Sequence, residues 1–291
     1  MKAPGALGMK NQQSDVSSRS QPDVKAKEDG PVTSSAPLLS VEHVKISYRL
    51  KNTLVQAVDD ATFTVMPEEK VMLIGPSGCG KSTILKAVAG FIEPVSGRIS
   101  FAGSTNITPG PDRAVVFQEF DQLFPWRTVL DNVVYPLRVT GRSKPEAMAQ
   151  ATTFIEMVGL GPARTRFPHQ LSGGMKQRVA IARALALGPP MLLMDEPFGS
   201  LDAITRTRLQ GDLNRLAERA KVALLFVTHS IDEALLLGHR VVVLQGAPST
   251  VAAVVDVRDI NGPDDPHYRS IRRSLEDLLG APGEEEPDGG N

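Results

Sequence analysis

The stretch Gly75-Pro76-Ser77-Gly78-Cys79-Gly80-Lys81-Ser82-Thr83 decides the fold of this chain. It has the form G-x-x-x-x-G-K-[ST], in which glycines let successive backbone N–H groups face the oxygens of a phosphate. The apolar residues 71–74 stand directly before it and predict a buried parallel strand. Apolar residues at helical spacing follow it as far as Gly90, which predicts a helix with a glycine stop. A strand, this loop and a helix in that order predict an α/β protein that binds a nucleoside triphosphate.

The residues of the loop have different expected roles in holding the nucleotide. Lys81 is expected to reach the β- and γ-phosphates, and the hydroxyl of Ser82 is expected to bind Mg²⁺. Thr83 can add a hydroxyl contact on the side of the α-phosphate. The sequence therefore predicts a nucleotide-binding loop made of Gly75, Pro76, Ser77, Gly78, Cys79, Gly80, Lys81, Ser82 and Thr83.

A pair of acidic residues follows another apolar run, residues 191–194. Asp195 would lie at the carboxyl end of a buried strand, which is where a P-loop ATPase holds its Mg²⁺ with a carboxylate. Glu196 offers a second carboxylate one residue further on. Water that attacks a γ-phosphate needs a base or a positioning acceptor, and we expect Glu196 to be that group.

Two more predicted strands end in polar residues that suit the same site. The apolar residues 222–227 precede Thr228 and His229, and His229 could hydrogen-bond a γ-phosphate oxygen or be an ordinary polar surface residue. Residues 115–117 precede Gln118, whose amide oxygen can bind Mg²⁺ or the attacking water. After His229, Ser230 and Glu233 have the spacing of a capping box that opens the next helix.

A second glycine-rich turn lies almost a hundred residues after the first, in Leu171-Ser-Gly-Gly-Met-Lys-Gln-Arg178. Ser172 is placed to cap a helix there, and a helix N-terminus is a second potential anion site. The chain has one phosphate loop and one such turn, without an internal repeat. It therefore holds two half-sites, which predicts that it works in pairs.

Taken together and in this order, these motifs resemble those of the ATP-binding cassette (ABC) ATPases, over nearly the whole chain after residue 37. The resemblance implies a P-loop NTPase fold with a RecA-like core, an antiparallel β subdomain and an inserted α-helical subdomain at about residues 119–186. Apolar alternation near Val41, Phe63 and Ile99 agrees with the antiparallel part. Tyr48 fits the aromatic residue that stacks on adenine in this family, or it is an ordinary strand aromatic.

The family resemblance also implies cofactors and a partner. It implies ATP and Mg²⁺, the ion being held by Ser82, Gln118 and Asp195, and catalysis by Glu196 with Gln118 and His229. It implies a homodimer in which two chains dock head to tail around two ATP molecules. In such a dimer, the γ-phosphate bound by one chain is contacted by the partner through the second turn, which here would be Ser172, Gly173, Gly174 and Gln177.

A closer likeness concerns the segment after Gln118, which contains Leu-Phe-Pro-Trp-Arg-Thr-Val at residues 123–129. It is similar to the importer ATPases for nitrate, sulfonate and taurine. In those proteins this segment receives the coupling helices of a separate membrane permease, which is served by an extracytoplasmic solute-binding protein. The large apolar residues suited to such a contact, or to a core patch of the helical subdomain, are Phe120, Leu123, Phe124 and Trp126.

Composition limits the other functions that the chain could have. The formal net charge is −1, so no basic excess favours a nucleic-acid partner. No apolar run approaches the roughly 18 residues of a membrane span, so any membrane association must come through a partner. The family resemblance implies a peripheral protein on the cytoplasmic face of the inner membrane. We expect a disordered tail at residues 1–36, the ABC ATPase domain at 37–280 and a second disordered tail at 281–291.

The leading hypothesis is the ATP-hydrolysing subunit of an importer for a small anion or an organosulfur compound. Two alternatives stay open, a soluble ABC ATPase without a transport role and the ATPase subunit of an exporter. The first is disfavoured because the sequence has no heptad run and only one cassette. The second is disfavoured only by the resemblance of residues 123–129.

Overall fold

The described residues form one mixed β-sheet with helices packed against it. The computed structural model describes residues 36–50, 53–118, 122–199, 201–260 and 262–280. Within these residues the sheet has nine strands in the order β4-β1-β2-β9-β8-β3-β7-β6-β5. The strands are β1 Leu39–Leu50, β2 Thr53–Val65, β3 Lys70–Ile74, β4 Ser96–Phe101, β5 Arg113–Val116, β6 Met191–Asp195, β7 Ala223–Val227, β8 Arg240–Gly246 and β9 Ser249–Asp256.

Seven α-helices accompany the sheet in the same described residues. They are α1 Lys81–Val88, α2 Val129–Val139, α3 Lys144–Met157, α4 Gly173–Ala186, α5 Ala203–Ala220, α6 Ile231–Leu237 and α7 Pro266–Leu279. No helix among the described ranges combines the length and the apolar character needed to cross a bilayer.

Parallel pairing brings the expected site residues to one edge of the sheet. The neighbours β8-β3-β7-β6-β5 all run parallel to one another. Their carboxyl ends therefore lie side by side, with Gly75 after β3, Asp195 at the end of β6 and Thr228 after β7. β3, β6 and β7 are completely buried, and all their residues are apolar except Lys70 at the start of β3 and Asp195 at the end of β6, as the sequence predicted.

The other part of the sheet contains the predicted antiparallel strands. β1 pairs antiparallel with β2 on one side and with β4 on the other. Their alternating residues Val41, Phe63 and Ile99 are buried, which confirms the pattern found in the sequence.

Buried side chains cover both faces of the parallel strands. Met72 and Ile74 of β3 join the core on one face, and Val71 and Leu73 join the core on the other. The first core contains the apolar faces of α2, α3, α4 and α5, and the second contains the apolar residues of α1. The parallel part of the sheet is therefore packed on both faces, which is typical of parallel sheets in α/β proteins.

Helices fill the described residues between β5 and β6. α2, α3 and α4 lie there, and Thr128, Ser143 and Ser172 cap their N-termini. These helices agree with the mainly helical character expected for residues 119–186, although residues 119–121 lie outside the described ones. The inserted helical subdomain as a separate unit stays a prediction, and both expected tails, except Ala36, fall outside the described residues.

Candidate active site

Glycine geometry shapes the loop between β3 and α1. Gly78 and Gly80 have positive φ angles of 78° and 94°. Gly80 also lies close to the chain before it, since a Cβ there would come within 2.9 Å of the carbonyl oxygen of Ala57. A side chain at Gly80 would therefore meet both a strained backbone and a steric conflict. The neighbour Ala57 of β2 has no sequence signal, because the contact arises only when the sheet assembles.

Lys81 is the first residue of α1, and its side chain reaches back to the start of the phosphate loop. Its Nζ donates hydrogen bonds of 2.8 Å to the carbonyl oxygens of Gly75 and Pro76. The residue is only 5% exposed. The positive charge is thus held inside the loop, where it can meet the phosphates of a nucleotide.

A cavity of about 250 Å³ opens beside this loop. It brings together residues that are far apart in the sequence. Its lining is Tyr48, Ala57, Ser77, Gly78, Gly80, Lys81, Ser82, Thr83 and Glu196. The expected adenine-stacking residue, much of the phosphate loop and the expected base therefore face one space, and Tyr48 is 42% exposed there.

Ser82 and Asp195 form the pair that was expected to hold Mg²⁺. The Oγ of Ser82 donates a hydrogen bond of 2.8 Å to Oδ1 of Asp195. Burial and the charge of Glu196 raise the pKa of Asp195, although the Ser82 hydrogen bond lowers it. A buried carboxylate beside a hydroxyl offers the oxygen ligands that Mg²⁺ prefers, so these residues fit the ion.

Glu196, which follows β6, and His229, which follows β7, lie in contact at the same carboxyl edge of the sheet. The Nδ1 of His229 lies 3.1 Å from Oε2 of Glu196. Glu196 has a φ of +42°, which is a sparsely populated conformation for a residue with a side chain. Its backbone N–H donates to the carbonyl oxygen of Val227, which ties the turn to the end of β7. Strain of this kind clusters at functional sites.

Gln118 does not line that cavity, but both Gln118 and Glu196 lie close to Gly199. A Cβ added to Gly199 would lie 3.4 Å from Nε2 of Gln118 and 3.8 Å from Oε2 of Glu196. The absence of a side chain at Gly199 thus leaves room between the two polar groups. Gly199 has no sequence signal of its own beyond its position four residues after Asp195.

The second glycine-rich turn lies apart from the cavity. Ser172 is the N-cap of α4, and its Oγ accepts a hydrogen bond of 3.4 Å from the N–H of Met175. Gly173 and Gly174 form the first turn of the helix. None of these residues lines the cavity beside the phosphate loop of the same chain.

Gln177 is not where the sequence analysis expected it. The residue is completely buried, and neither polar atom of its side chain has a hydrogen-bond partner among the described residues. The helix explains this position, because residues three apart share a face and Gly174 is buried as well. Gln177 therefore points away from the exposed Ser172, and its expected contact with a nucleotide must be corrected.

The capping box at the start of α6 is also only half present. Ser230 accepts a hydrogen bond from the N–H of Glu233, as expected. The carboxylate of Glu233 does not return to Ser230. It accepts hydrogen bonds from Thr228 and Gln210 instead.

The apolar residues after Gln118 divide between core and surface. Leu123 is buried, whereas Trp126 is 71% exposed. The ring of Phe124 lies 5.7 Å from that of Trp126 and 5.0 Å from that of Tyr135. Phe120 lies outside the described residues. Among the described large apolar residues of this segment, Trp126 is therefore the most exposed.

Known proteins are similar in sequence to this chain. The ABC transporter family profile matches residues 58–199. The taurine import ATP-binding protein of Rhizobium johnstonii is 43% identical over 221 residues, which cover 76% of this chain and 84% of that protein. The nitrate import ATP-binding protein NrtD of Synechococcus elongatus is 42% identical over 233 residues, which cover 77% of this chain and 84% of that protein.

A solved structure shares the fold. It is a dimeric post-hydrolysis state of an ATP-binding cassette bound to ADP and Pi, with a TM-score of 0.68 and 31% identity. The match covers 76% of this chain and 100% of that one. This similarity confirms the expected fold class, and the sequence relatives confirm the resemblance. The chain belongs to the ABC transporter family and is an ATPase of that family.

Proposed function

We propose that this chain is the ATP-hydrolysing subunit of an importer for a small anion or an organosulfur compound of the nitrate, sulfonate or taurine kind. The observation that carries the ATPase part is the edge where the Ser82–Asp195 and Glu196–His229 pairs lie beside the phosphate loop. The names of the taurine and nitrate import proteins described above support import over the exporter and the soluble protein without a transport role.

Nucleotide binding would use the cavity beside the phosphate loop. Lys81 would exchange its two carbonyl partners for phosphate oxygens, and Tyr48 would stack on the base. The contacts of the remaining loop residues would come from their backbone N–H groups. Ser82, Gln118 and Asp195 would hold Mg²⁺, which supplies positive charge to the phosphate oxygens when it is bound.

Hydrolysis would be carried out by the groups at the sheet edge. Glu196 would accept a proton from the water whose oxygen bonds to the γ-phosphorus, as the bond between that phosphorus and ADP breaks. Gln118 would orient this water. His229, which meets Glu196 in the structure, would hydrogen-bond a γ-phosphate oxygen.

A second copy of the chain would complete each site. Ser172, Gly173 and Gly174 do not line the cavity of their own chain, so we assign them to the γ-phosphate that the partner binds. The homodimer would lie on the cytoplasmic face of the membrane and contact a separate permease near Trp126. An extracytoplasmic solute-binding protein would deliver the transported molecule to that permease.

The variant Glu196→Gln tests the hydrolytic part of this proposal. ATP binding should persist and a stable dimer should accumulate, while ATP turnover falls by roughly a hundredfold or more. Glu156→Gln is the matched control, since Glu156 is exposed on α3, away from the cavity. Normal turnover by Glu196→Gln would exclude Glu196 as the base.

A transport assay tests the proposal that the chain drives import through a separate permease. The chain should co-purify with a membrane permease, and proteoliposomes that contain both should take up labelled taurine or nitrate only with ATP and the solute-binding protein. Co-purification with DNA or ribosomes in place of a permease would contradict the proposal.

A further inference from the structure

His229 is not held by the packing of its own side chain. That side chain is 60% exposed. The residue lies on the short connection between β7 and α6, where it meets Glu196 through a single contact of 3.1 Å. Its position therefore depends on the backbone on either side.

Hydrogen bonds close a ring around that connection. The hydroxyl of Thr228 donates to Oε2 of Glu233 at 2.6 Å and accepts from the N–H of Ser230 at 3.0 Å. The N–H of Glu233 donates to Oγ of Ser230 at 3.2 Å. The residues directly before and after His229 are thus tied both to each other and to the first turn of α6.

The ring is buried and is anchored to another helix. The Nε2 of Gln210, on α5, donates to Oε1 of Glu233 at 3.1 Å. Thr228 is 1% exposed, Glu233 is 7% exposed and Gln210 is 9% exposed. In the described part of the chain, no lysine or arginine forms an ion pair with Glu233, so neutral donors hold its carboxylate. A buried network of this kind, with both carboxylate oxygens bonded, makes the local backbone rigid.

We infer that Thr228 and Glu233 are positioning residues for ATP hydrolysis, because they hold His229 in place beside Glu196. The inference rests on the proposed role of His229. Catalytic groups must be held within about 0.5 Å of their working geometry. A misplacement of about 1 Å can lower a rate by roughly a hundredfold. An exposed side chain on an unsupported connection would not meet that requirement.

Thr228→Val tests the inference, since valine has the shape of threonine without the hydroxyl. The expected result is that kcat falls by about 10- to 100-fold. KM for ATP should change by less than about twofold, because the cavity lining is untouched and the loss falls on the transition state. Thr228→Ser keeps the hydroxyl, so its kcat should be close to that of the wild type. The matched control is Thr152→Val, which removes a hydroxyl bonded to the carbonyl of Met148 on α3.

A double-variant cycle separates positioning from general damage. Thr228→Val should lower kcat no further in a His229→Ala background, because both changes remove the same contact. A full additional loss in that background would overturn the inference.

Substitution of Glu233 tests it if Thr228→Val does not fold. Glu233→Gln can keep both hydrogen bonds when the amide of Gln210 turns over, so kcat should stay within about threefold of wild type. Glu233→Met keeps the length of the side chain, removes both acceptors and should lower kcat by about tenfold or more. Equal kcat values for these two variants would overturn the inference.

The same experiments distinguish a wrong role for His229 from a wrong positioning role for Thr228 and Glu233. If His229→Ala keeps the wild-type kcat, the proposed role of His229 is wrong and the inference falls with it. If His229→Ala lowers kcat but Thr228→Val, folded as judged by its Tm, does not, only the positioning inference is wrong.

Discussion

At the scale of single residues, Asp195 has opposite effects on stability and on function. Burial raises its pKa, which means that the ionised carboxylate destabilises the folded chain at neutral pH. A bound cation would reverse that effect. Sites that are built for a charged ligand are often destabilising without it.

Asp195→Asn should therefore stabilise the nucleotide-free protein. The amide oxygen can still accept the Ser82 hydrogen bond, and the buried charge is gone. We expect Tm to rise by up to about 2–4 °C, the shift that roughly 1 kcal/mol produces in a chain of this size, while ATP turnover falls. The sign follows from the raised pKa, since the destabilisation develops as the pH rises from the ordinary pKa of an aspartate to the raised one and is complete above it. Thermal unfolding of the variant beside Asp277→Asn, an exposed control on α7, measures the effect, and a lower Tm for Asp195→Asn alone would contradict it.

Lys81→Ala should weaken nucleotide binding itself. Hydrogen bonds to charged groups contribute roughly 1.5–3 kcal/mol, so the affinity for ATP should fall about 10- to 100-fold. Calorimetric titration of the variant and of Lys144→Ala, an exposed lysine outside the cavity, provides the comparison. An unchanged affinity for Lys81→Ala would remove Lys81 from the phosphate site.

At the scale of secondary-structure elements, α7 is fastened to the first turn of α6. The phenol of Tyr268 donates a hydrogen bond of 2.6 Å to Oδ1 of Asp232, and Nε of Arg272 donates to the same oxygen at 3.0 Å. Burial and the hydrogen bond to Asp232 raise the pKa of Tyr268 to about 12. The two helices therefore share a contact that depends on the protonated phenol.

The Tyr268 contact should lose its effect at high pH. A tyrosine in the unfolded chain has a pKa of about 10, so the raised folded value adds stability that is complete below pH 10 and disappears towards pH 12. Tyr268→Phe should lower the free energy of unfolding by about 1 kcal/mol at pH 8. Denaturant unfolding should show this difference shrinking as the pH rises, and Tyr135→Phe serves as control. A difference that stays constant to pH 12 would contradict the prediction.

The elements that the sequence predicted are those that local pattern determines. Buried strands such as β3 and β6 are recognisable from their apolar runs. The N-cap residues Ser172 and Ser230 predict the starts of α4 and α6. The hairpin of β8 and β9 was not predicted, because its role as a bridge between the two parts of the sheet depends on pairing with distant strands. The carboxylate of Glu233 was misassigned for a similar reason, since Gln210 reaches it only in the folded chain.

The candidate site shows the same division between local and tertiary information. The residue types at the strand ends predicted Asp195, Glu196 and His229, and parallel pairing brings their strands together. The inward position of Gln177 depends on which face of α4 meets the core, and a glycine-rich motif does not specify that face. The approach of Ala57 to Gly80 needs the complete sheet.

At the scale of the whole molecule, the central claim is that two copies complete each other's sites. The phosphate loop and the turn at Ser172 belong to one chain, yet the turn does not line that chain's cavity. A change at the turn should therefore affect the partner's nucleotide and not its own. This relation separates a shared site from two independent sites.

The rate of ATP hydrolysis by Ser172→Glu tests this claim most directly. An added carboxylate would repel the γ-phosphate held by the partner, so turnover should fall by roughly a hundredfold or more. The affinity of the monomeric chain for ATP should stay unchanged, because its own cavity is untouched. A Ser172→Glu protein that hydrolyses ATP at the wild-type rate would contradict the account.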